Sequence, residues 1–200
     1  MFQPDVDTSS TPKRNITKEL LAMVGDILQV VVLSFAIFMV TYIFVFQPNK
    51  VRGSSMVPTF LDGDYLLTDK VTYRWMRQPE RGDIVVFQSP ENQNYDFIKR
   101  IIGLPGDTIK VQDGKVFIND RELDENYLPI GLATRSGAFL KESISYKIPE
   151  NSYFVLGDNR NGSSDSREWG PVVREKLVGR AWFRYLPINR IGLVNHDLRH

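Results

Sequence analysis

The sequence contains no cysteine, and of its 200 residues only His196 and His200 are histidine. Without cysteine there are no disulfides, thiolate metal centres or cysteine nucleophiles, although the compartment is left open. Both histidines fall in the last five residues. Chain ends are often poorly ordered, and a catalytic imidazole needs a rigid setting and an orienting partner. A Ser-His-Asp triad and a zinc site are therefore disfavoured, and no metal or cofactor is expected. Hydrolytic chemistry would need another base. Charge of neither sign is in excess: 25 Lys and Arg face 24 Asp and Glu, and the net charge of +1 offers nothing that points to nucleic acid. With 42% hydrophobic and 24% charged residues the chain is globular, and its length suits one domain plus an accessory segment.

One long uncharged run stands out. Residues 27 to 46, ILQVVVLSFAIFMVTYIFVF, follow a polar tail over residues 1 to 26. At 1.5 Å per residue such a run spans about 30 Å as a helix, the thickness of a bilayer's hydrocarbon core. It is too long for a signal-peptide apolar region, and Gln47-Pro48-Asn49-Lys50 after it shows no small-x-small cleavage pattern. The run reads as a transmembrane anchor. Lys13, Arg14 and Lys18 before it, against Lys50 and Arg52 after it, favour a cytoplasmic N-terminus and an extracytoplasmic domain over residues 47 to 200.

Beyond Lys50, short apolar runs alternate with turn formers. Ile84–Phe87, Phe97–Ile102, Ile109–Val111, Lys115–Ile118, Tyr153–Leu156 and Ala181–Tyr185 are strand candidates, and Asp113-Gly114 marks a hairpin turn. This pattern predicts an all-β domain of antiparallel sheets behind one N-terminal transmembrane α-helix.

A serine attacks a peptide bond only if something takes its proton, and here a buried lysine is the remaining base. Lys99 lies in Phe97-Ile98-Lys99-Arg100-Ile101-Ile102. In a strand, alternation puts Lys99 on the face of Phe97 and Ile101, and Arg100 on that of Ile98 and Ile102. On spacing alone, a lysine with its head in solvent at a sheet edge is the favoured reading. Ser55 lies in Gly53-Ser54-Ser55-Met56-Val57-Pro58-Thr59, a loop suited to a nucleophile or to an ordinary turn. The third segment, Gly157-Asp158-Asn159-Arg160 with Ser163-Ser164-Asp165-Ser166-Arg167, also fits a solvated loop.

Together these segments, in this order and with Arg81-Gly82-Asp83-Ile84-Val85-Val86-Phe87 and Gly103-Leu104-Pro105-Gly106-Asp107, resemble the type I signal peptidase (leader peptidase) family over most of residues 50 to 180. The resemblance implies an all-β catalytic domain in a short, single-span form of the enzyme. It assigns Ser55 as the acylated nucleophile, Lys99 as the general base, and Ser163 as the hydroxyl that orients the lysine. Asp158 with Arg100, and Asp165 with Arg167, would brace the site. The Ser55 N–H would donate to the oxyanion. Gly53 takes a position where some members carry a serine donor, and is therefore read as structural. Met56, Phe60, Val86, Phe97 and Ile98 are candidates to line the substrate pockets.

The activity so implied is removal of N-terminal signal peptides from exported preproteins after a small-x-small motif. Partners would be signal-peptide-bearing preproteins, the lipid bilayer and the protein-export channel, in a plasma or thylakoid membrane, with no nucleic acid. An organellar presequence-processing peptidase and an inactive homologue that binds precursor segments are further readings. Intact Ser55, Lys99 and Ser163 speak against the second. A soluble self-cleaving repressor-type protease is disfavoured by the anchor.

Overall fold

The structure, a computed structural model, describes residues 16–90, 92, 94–196 and 198. Most of the polar tail (residues 1–15) and His200 lie outside that range. The chain divides into two compact units, Met1–Ile43 and Phe44–His200.

Helix α1 spans Ile16–Val45, so it starts well before the expected Ile27. The reason is local: Lys18, Glu19, Leu20, Leu21, Ala22 and Met23 are all good helix formers. Its segment Thr17–Tyr42 is long and apolar enough to cross a membrane. Leu28, Val30, Val31 and Leu33, which point in different directions around the helix, are each more than half exposed, so apolar surface faces outward on every side. A helix apolar all round needs a nonaqueous environment.

The second unit is built from antiparallel strands. In chain order these are β1 (Phe46–Lys50), β2 (Tyr65–Asp69), β3 (Ile84–Gln88), β4 (Asp96–Gly103), β5 (Thr108–Gln112), β6 (Lys115–Ile118), β7 (Arg121–Glu122), β8 (Tyr146–Lys147), β9 (Ser152–Leu156), β10 (Val172–Val173), β11 (Leu177–Leu186) and β12 (Gly192–Leu193). A π-helical turn, Thr72–Met76, follows β2, and a one-turn helix α2, Ser166–Trp169, precedes β10. The larger sheet runs β1-β2-β11-β3-β4-β9-β10, with β12 paired to β11, and the smaller one runs β7-β6-β5-β8. The expected Asp113-Gly114 turn is present, with both residues at positive φ and Gln112 facing Lys115. The apolar run ends one residue early in the helix. Phe46 opens β1 instead, and Pro48 is tolerated there because β1 is a sheet edge.

The central strands are buried on both faces. In β3, Ile84 and Val86 join a core with Val51, Met56, Phe60 and Leu66, while Val85 and Phe87 join one with Ile101, Tyr153 and Val155. In β9, Phe154 and Leu156 enter a third core with Ile102 and the smaller sheet's Ile109 and Val116. Because side chains alternate across a strand, continuous apolar runs here mean two cores.

The sequence-based expectation that both histidines lie in a poorly ordered tail fails at His196. Its ring packs against the larger sheet, with Nδ1 accepting the Ile84 N–H at 2.9 Å and lying 3.7 Å from Asp83. Nε2 is buried and faces the Ala181 backbone without completing a hydrogen bond. Burial, then the charge of Arg180, pushes the imidazole down to about 3. Asp83 moves the same way on balance. Burial raises its carboxyl, but the Arg77 guanidinium, the Glu80 N–H and the Tyr73 hydroxyl outweigh it and hold the group at about 2.

Both shifts make the fold acid-sensitive. Unfolded, these groups titrate near ~6.5 and ~3.9. Between about pH 6.5 and 3 the unfolded chain takes a proton at His196 that the folded chain refuses, so stability falls as pH drops through that window. Asp83 adds a loss of about 2 kcal/mol as pH falls from about 4 to about 2. His196→Asn keeps an acceptor for the Ile84 N–H, and in denaturant titrations it should flatten the slope between pH 6.5 and 4. An unaltered slope would mean that the imidazole is not the group responsible.

Candidate active site

Ser55 and Lys99, 44 residues apart in sequence, meet in the folded chain, with Lys99 Nζ donating to Ser55 Oγ at 2.7 Å. Two features of the backbone bring them together. Residues 53–60 turn back on themselves through Val57 N–H to Ser54 C=O and Phe60 N–H to Met56 C=O bonds, which lift Ser55 over the core. Across from it, β4 pairs with β3 in the register Val85 to Lys99 and Val86 to Ile98. Alternation along β4 then sends Lys99 to the side of Phe97, its amine 5.5 Å from the ring centre. The lysine is 4% exposed, so the alternative of a solvent-seeking side chain is overturned.

The serine turn is held from behind. The Asn159 N–H donates to the Ser55 carbonyl at 3.0 Å, and the Asn159 amide to the Ser54 carbonyl at 3.1 Å. Gly53 sits at φ +85°, a conformation that favours glycine, and its N–H donates to Asp62 at 2.7 Å. At Gly157 a side chain would overlap Ser163 and the Ser55 carbonyl, so the loop can close against the serine only with glycine there.

The charged residues form a buried lattice beneath this loop. Arg100 binds Asp158 through two nitrogens at 2.9 and 2.8 Å, and Thr59 donates its hydroxyl to the same carboxylate. Arg167 binds Asp165 in the same two-pronged way at 2.8 Å each, while Asp165 also accepts the Gly157 N–H. Sequence reasoning missed the third arginine. Arg160 is 2% exposed and bonds Glu125, Thr134, the Tyr127 hydroxyl and the Gly157 carbonyl. Those partners give residues 121–150, unassigned from sequence, a bracing role. An arginine inside a run of turn formers was the one available signal.

Ser163 behaves differently from the expectation. Its Oγ is buried and, among the described residues, makes no hydrogen bond. It lies against Gly157 beside the Ser55 carbonyl, so the bond to Lys99 is not made in this structure. A cleft of about 330 Å³ opens beside the serine and lysine, lined by Val86, Phe97 and Ile98 of the expected pocket residues. Met56 and Phe60 do not line it. Each is 1% exposed and belongs to the core below, because the turn directs them inward. Phe60 borders a second cavity instead. The cleft wall also contains Asn49, Val51, Leu66, Tyr95, Asp96 and Ser164, none of them singled out in the sequence. Among the described residues, no cluster of three or more His, Asp or Glu side chains is placed to hold a metal ion.

Residues 21–186 match the family described as signal peptidase, peptidase S26. The chain is 46% identical over 159 residues to a probable signal peptidase I-2 of Synechocystis sp., covering 77% of this chain and 69% of that protein. It is 36% identical to signal peptidase I of Bacillus licheniformis, covering 92% and 97%. To the chloroplastic thylakoidal processing peptidase 1 of Arabidopsis thaliana it is 38% identical, covering 76% of this chain and 45% of that protein. A crystal structure of a signal peptidase I from Enterococcus faecalis aligns with a TM-score of 0.44 at 32% identity, over 52% of this chain and 97% of that one. With its family match running through most of the chain, the protein belongs to the signal peptidase family, peptidase S26, and is a peptidase.

Proposed function

We propose that this chain is a membrane-bound serine endopeptidase that removes signal peptides, with Ser55 as nucleophile and Lys99 as base. The observation that carries the reading is the 2.7 Å contact between Ser55 Oγ and the buried Lys99 amine at an apolar cleft. In the first half-reaction Ser55 Oγ attacks the scissile carbonyl as Lys99 Nζ takes its proton, which then passes to the departing amine. In the second, Lys99 deprotonates water, which attacks the acyl-enzyme and releases Ser55. The scheme needs a neutral amine, and burial among apolar side chains favours that form of a lysine. The Ser55 N–H would donate to the oxyanion, and Gly53 contributes no side-chain donor. Ser163 is a positioning residue in this scheme, its hydroxyl beside the dyad. Asp158, Arg100, Asp165 and Arg167 hold the loops and do not react.

Substrate choice follows from the cleft. Val86, Phe97 and Ile98 make an apolar wall suited to small side chains, with Met56 and Phe60 supporting it from the core. An extended peptide would lie between Asn49–Arg52 and Tyr95–Ile98, and a small-x-small signal peptide end fits that shape. The precursor is the partner, the bilayer holds the single-pass anchor, and the export channel is the source of substrate. The basic residues around the anchor favour a cytoplasmic N-terminus with the protease domain outside. Similarity to cyanobacterial and thylakoidal peptidases supports a plasma or thylakoid membrane.

Lys99→Arg should lower kcat/KM on a signal-bearing precursor by about 10³-fold or more, since a guanidinium cannot act as a base near neutral pH. Substantial turnover by a folded variant would reject Lys99 as the base. A chain beginning at Phe44 retains β1 and its pairing with β2, and should fold and cleave detergent-solubilised precursor. Loss of co-anchoring should slow it by about tenfold or more. Failure of this fragment to unfold cooperatively would show that the helix belongs to the domain's fold.

A further inference from the structure

The second cavity, of about 270 Å³, is lined among others by Thr59, Phe60, Arg100, Arg184, Leu193 and Asn195. Its charge is unbalanced. Arg184 lies 3.5 Å from one oxygen of Asp64, and Arg190 donates to the other at 3.0 Å, so two guanidiniums share one buried carboxylate. The remaining pair, Arg100 with Asp158, is matched one to one. Among the described residues, three cations therefore stand against two anions. Both Arg184 and Arg190 also donate to the Thr59 carbonyl, at 3.0 and 3.3 Å, and Arg184 Nε donates to the Arg190 carbonyl. Among the described residues, Arg184 Nη2 has no hydrogen-bond partner. Burial, followed by the nearby charge of Arg190, pushes the Arg184 guanidinium down from its ordinary range, as expected where positive charge is in excess.

The hairpin that carries these arginines is apolar on its outer surface. Ile188 is 79% exposed, Ile191 51% and Leu193 71%, and Leu193 also forms part of the cavity wall. A cationic floor with an apolar rim matches an amphiphile with an anionic head. A small free anion would gain nothing from the rim. Phosphodiester oxygens suit arginine, whose donor fork binds phosphate in two places. In sequence, the domain begins directly after a segment long and apolar enough to cross a membrane, which favours a lipid over a soluble amphiphile as the occupant.

We propose that this cavity binds the phosphodiester head of an anionic phospholipid, with Arg184 as its main ligand, Arg190 as supporting charge and Ile188, Ile191 and Leu193 against the acyl chains. The site stands whether or not Ser55 and Lys99 are the catalytic pair. Its back wall is Thr59, whose hydroxyl reaches Asp158, so an occupant would touch the segment that carries Ser55.

The test uses the full chain in neutral detergent, with the side-chain 15Nε–H resonance of Arg184 assigned by its loss in Arg184→Gln. Dihexanoylphosphatidylglycerol should shift this resonance saturably, with at least tenfold higher affinity than inorganic phosphate. Asn195→Asp, a near-isosteric change that places a negative charge on the cavity wall, should weaken the lipid's affinity tenfold or more. Arg190→Gln should weaken it at least fivefold. Equal affinity for inorganic phosphate would reject the lipid and assign the cavity to a free phosphate. No saturable shift with either probe, or unchanged affinity in folded Asn195→Asp, would overturn the site altogether.

Discussion

The ion pair between Arg100 and Asp158 ties the turn that holds Ser55, the strand that holds Lys99 and the loop that starts at Gly157 into one object. Both side chains are almost wholly buried, and burying two charges is costly unless every donor and acceptor finds a partner. Here they do. Arg100 reaches Asp158, the Gly82 carbonyl and the face of Tyr127, and Asp158 also accepts from Thr59. Thr59 belongs to the turn that holds Ser55, and Arg100 follows Lys99 in β4. Asp158 precedes the asparagine that grips the Ser55 carbonyl. Loss of either charge would leave the other buried alone, at a cost of about 3–5 kcal/mol.

That arrangement depends on β4 having two useful faces. Successive side chains of a strand point oppositely, so one strand can hold a lysine toward a cleft and an arginine toward a buried carboxylate. A slip of one residue in the β3–β4 register would exchange them, and the serine would face a guanidinium. The two cores flanking these strands resist such a slip. Ile98 packs against the one that holds Ile84 and Val86, Phe97 and Ile101 belong to the other, and every one of these β4 residues would change sides. The placement of Lys99 against Ser55 is thus enforced by hydrophobic packing elsewhere in the sheet.

Much of this was legible in the sequence because it is written locally. The apolar helix, the strands β3, β4, β5, β6, β9 and β11, and the Asp113-Gly114 turn all follow from short-range pattern. Strands β1 and β2 were not, since Phe46 continues an apolar run and Pro48 disfavours a strand wherever its missing N–H would matter. The meeting of Ser55 with Lys99 came from resemblance, because no spacing rule relates positions so far apart. Met56 and Phe60 were misplaced for a related reason. A turn alternates neither with period two nor with 3.6, so which of its side chains face inward is decided by backbone bonds that the sequence does not display. Arg160 was passed over because an arginine among turn formers looks solvated until Glu125, Tyr127 and Thr134 are brought to it.

His196 is poorly placed to act as a base. Its Nδ1 is occupied by the Ile84 N–H, and its Nε2 is buried against the backbone. Its conjugate acid is destabilised by burial and by Arg180. An imidazole held this way has neither a free lone pair to offer nor a tolerable charged form. In the proposed scheme the same physics would serve Lys99. A lysine is useless as a base while protonated, so burial of the kind that cripples a histidine is what that scheme asks for around a lysine. Lys99 is 4% exposed, and its amine lies 2.7 Å from Ser55 Oγ. On the proposed reading, a chain with no cysteine and no accessible histidine among its described residues can therefore still carry a nucleophile and a base.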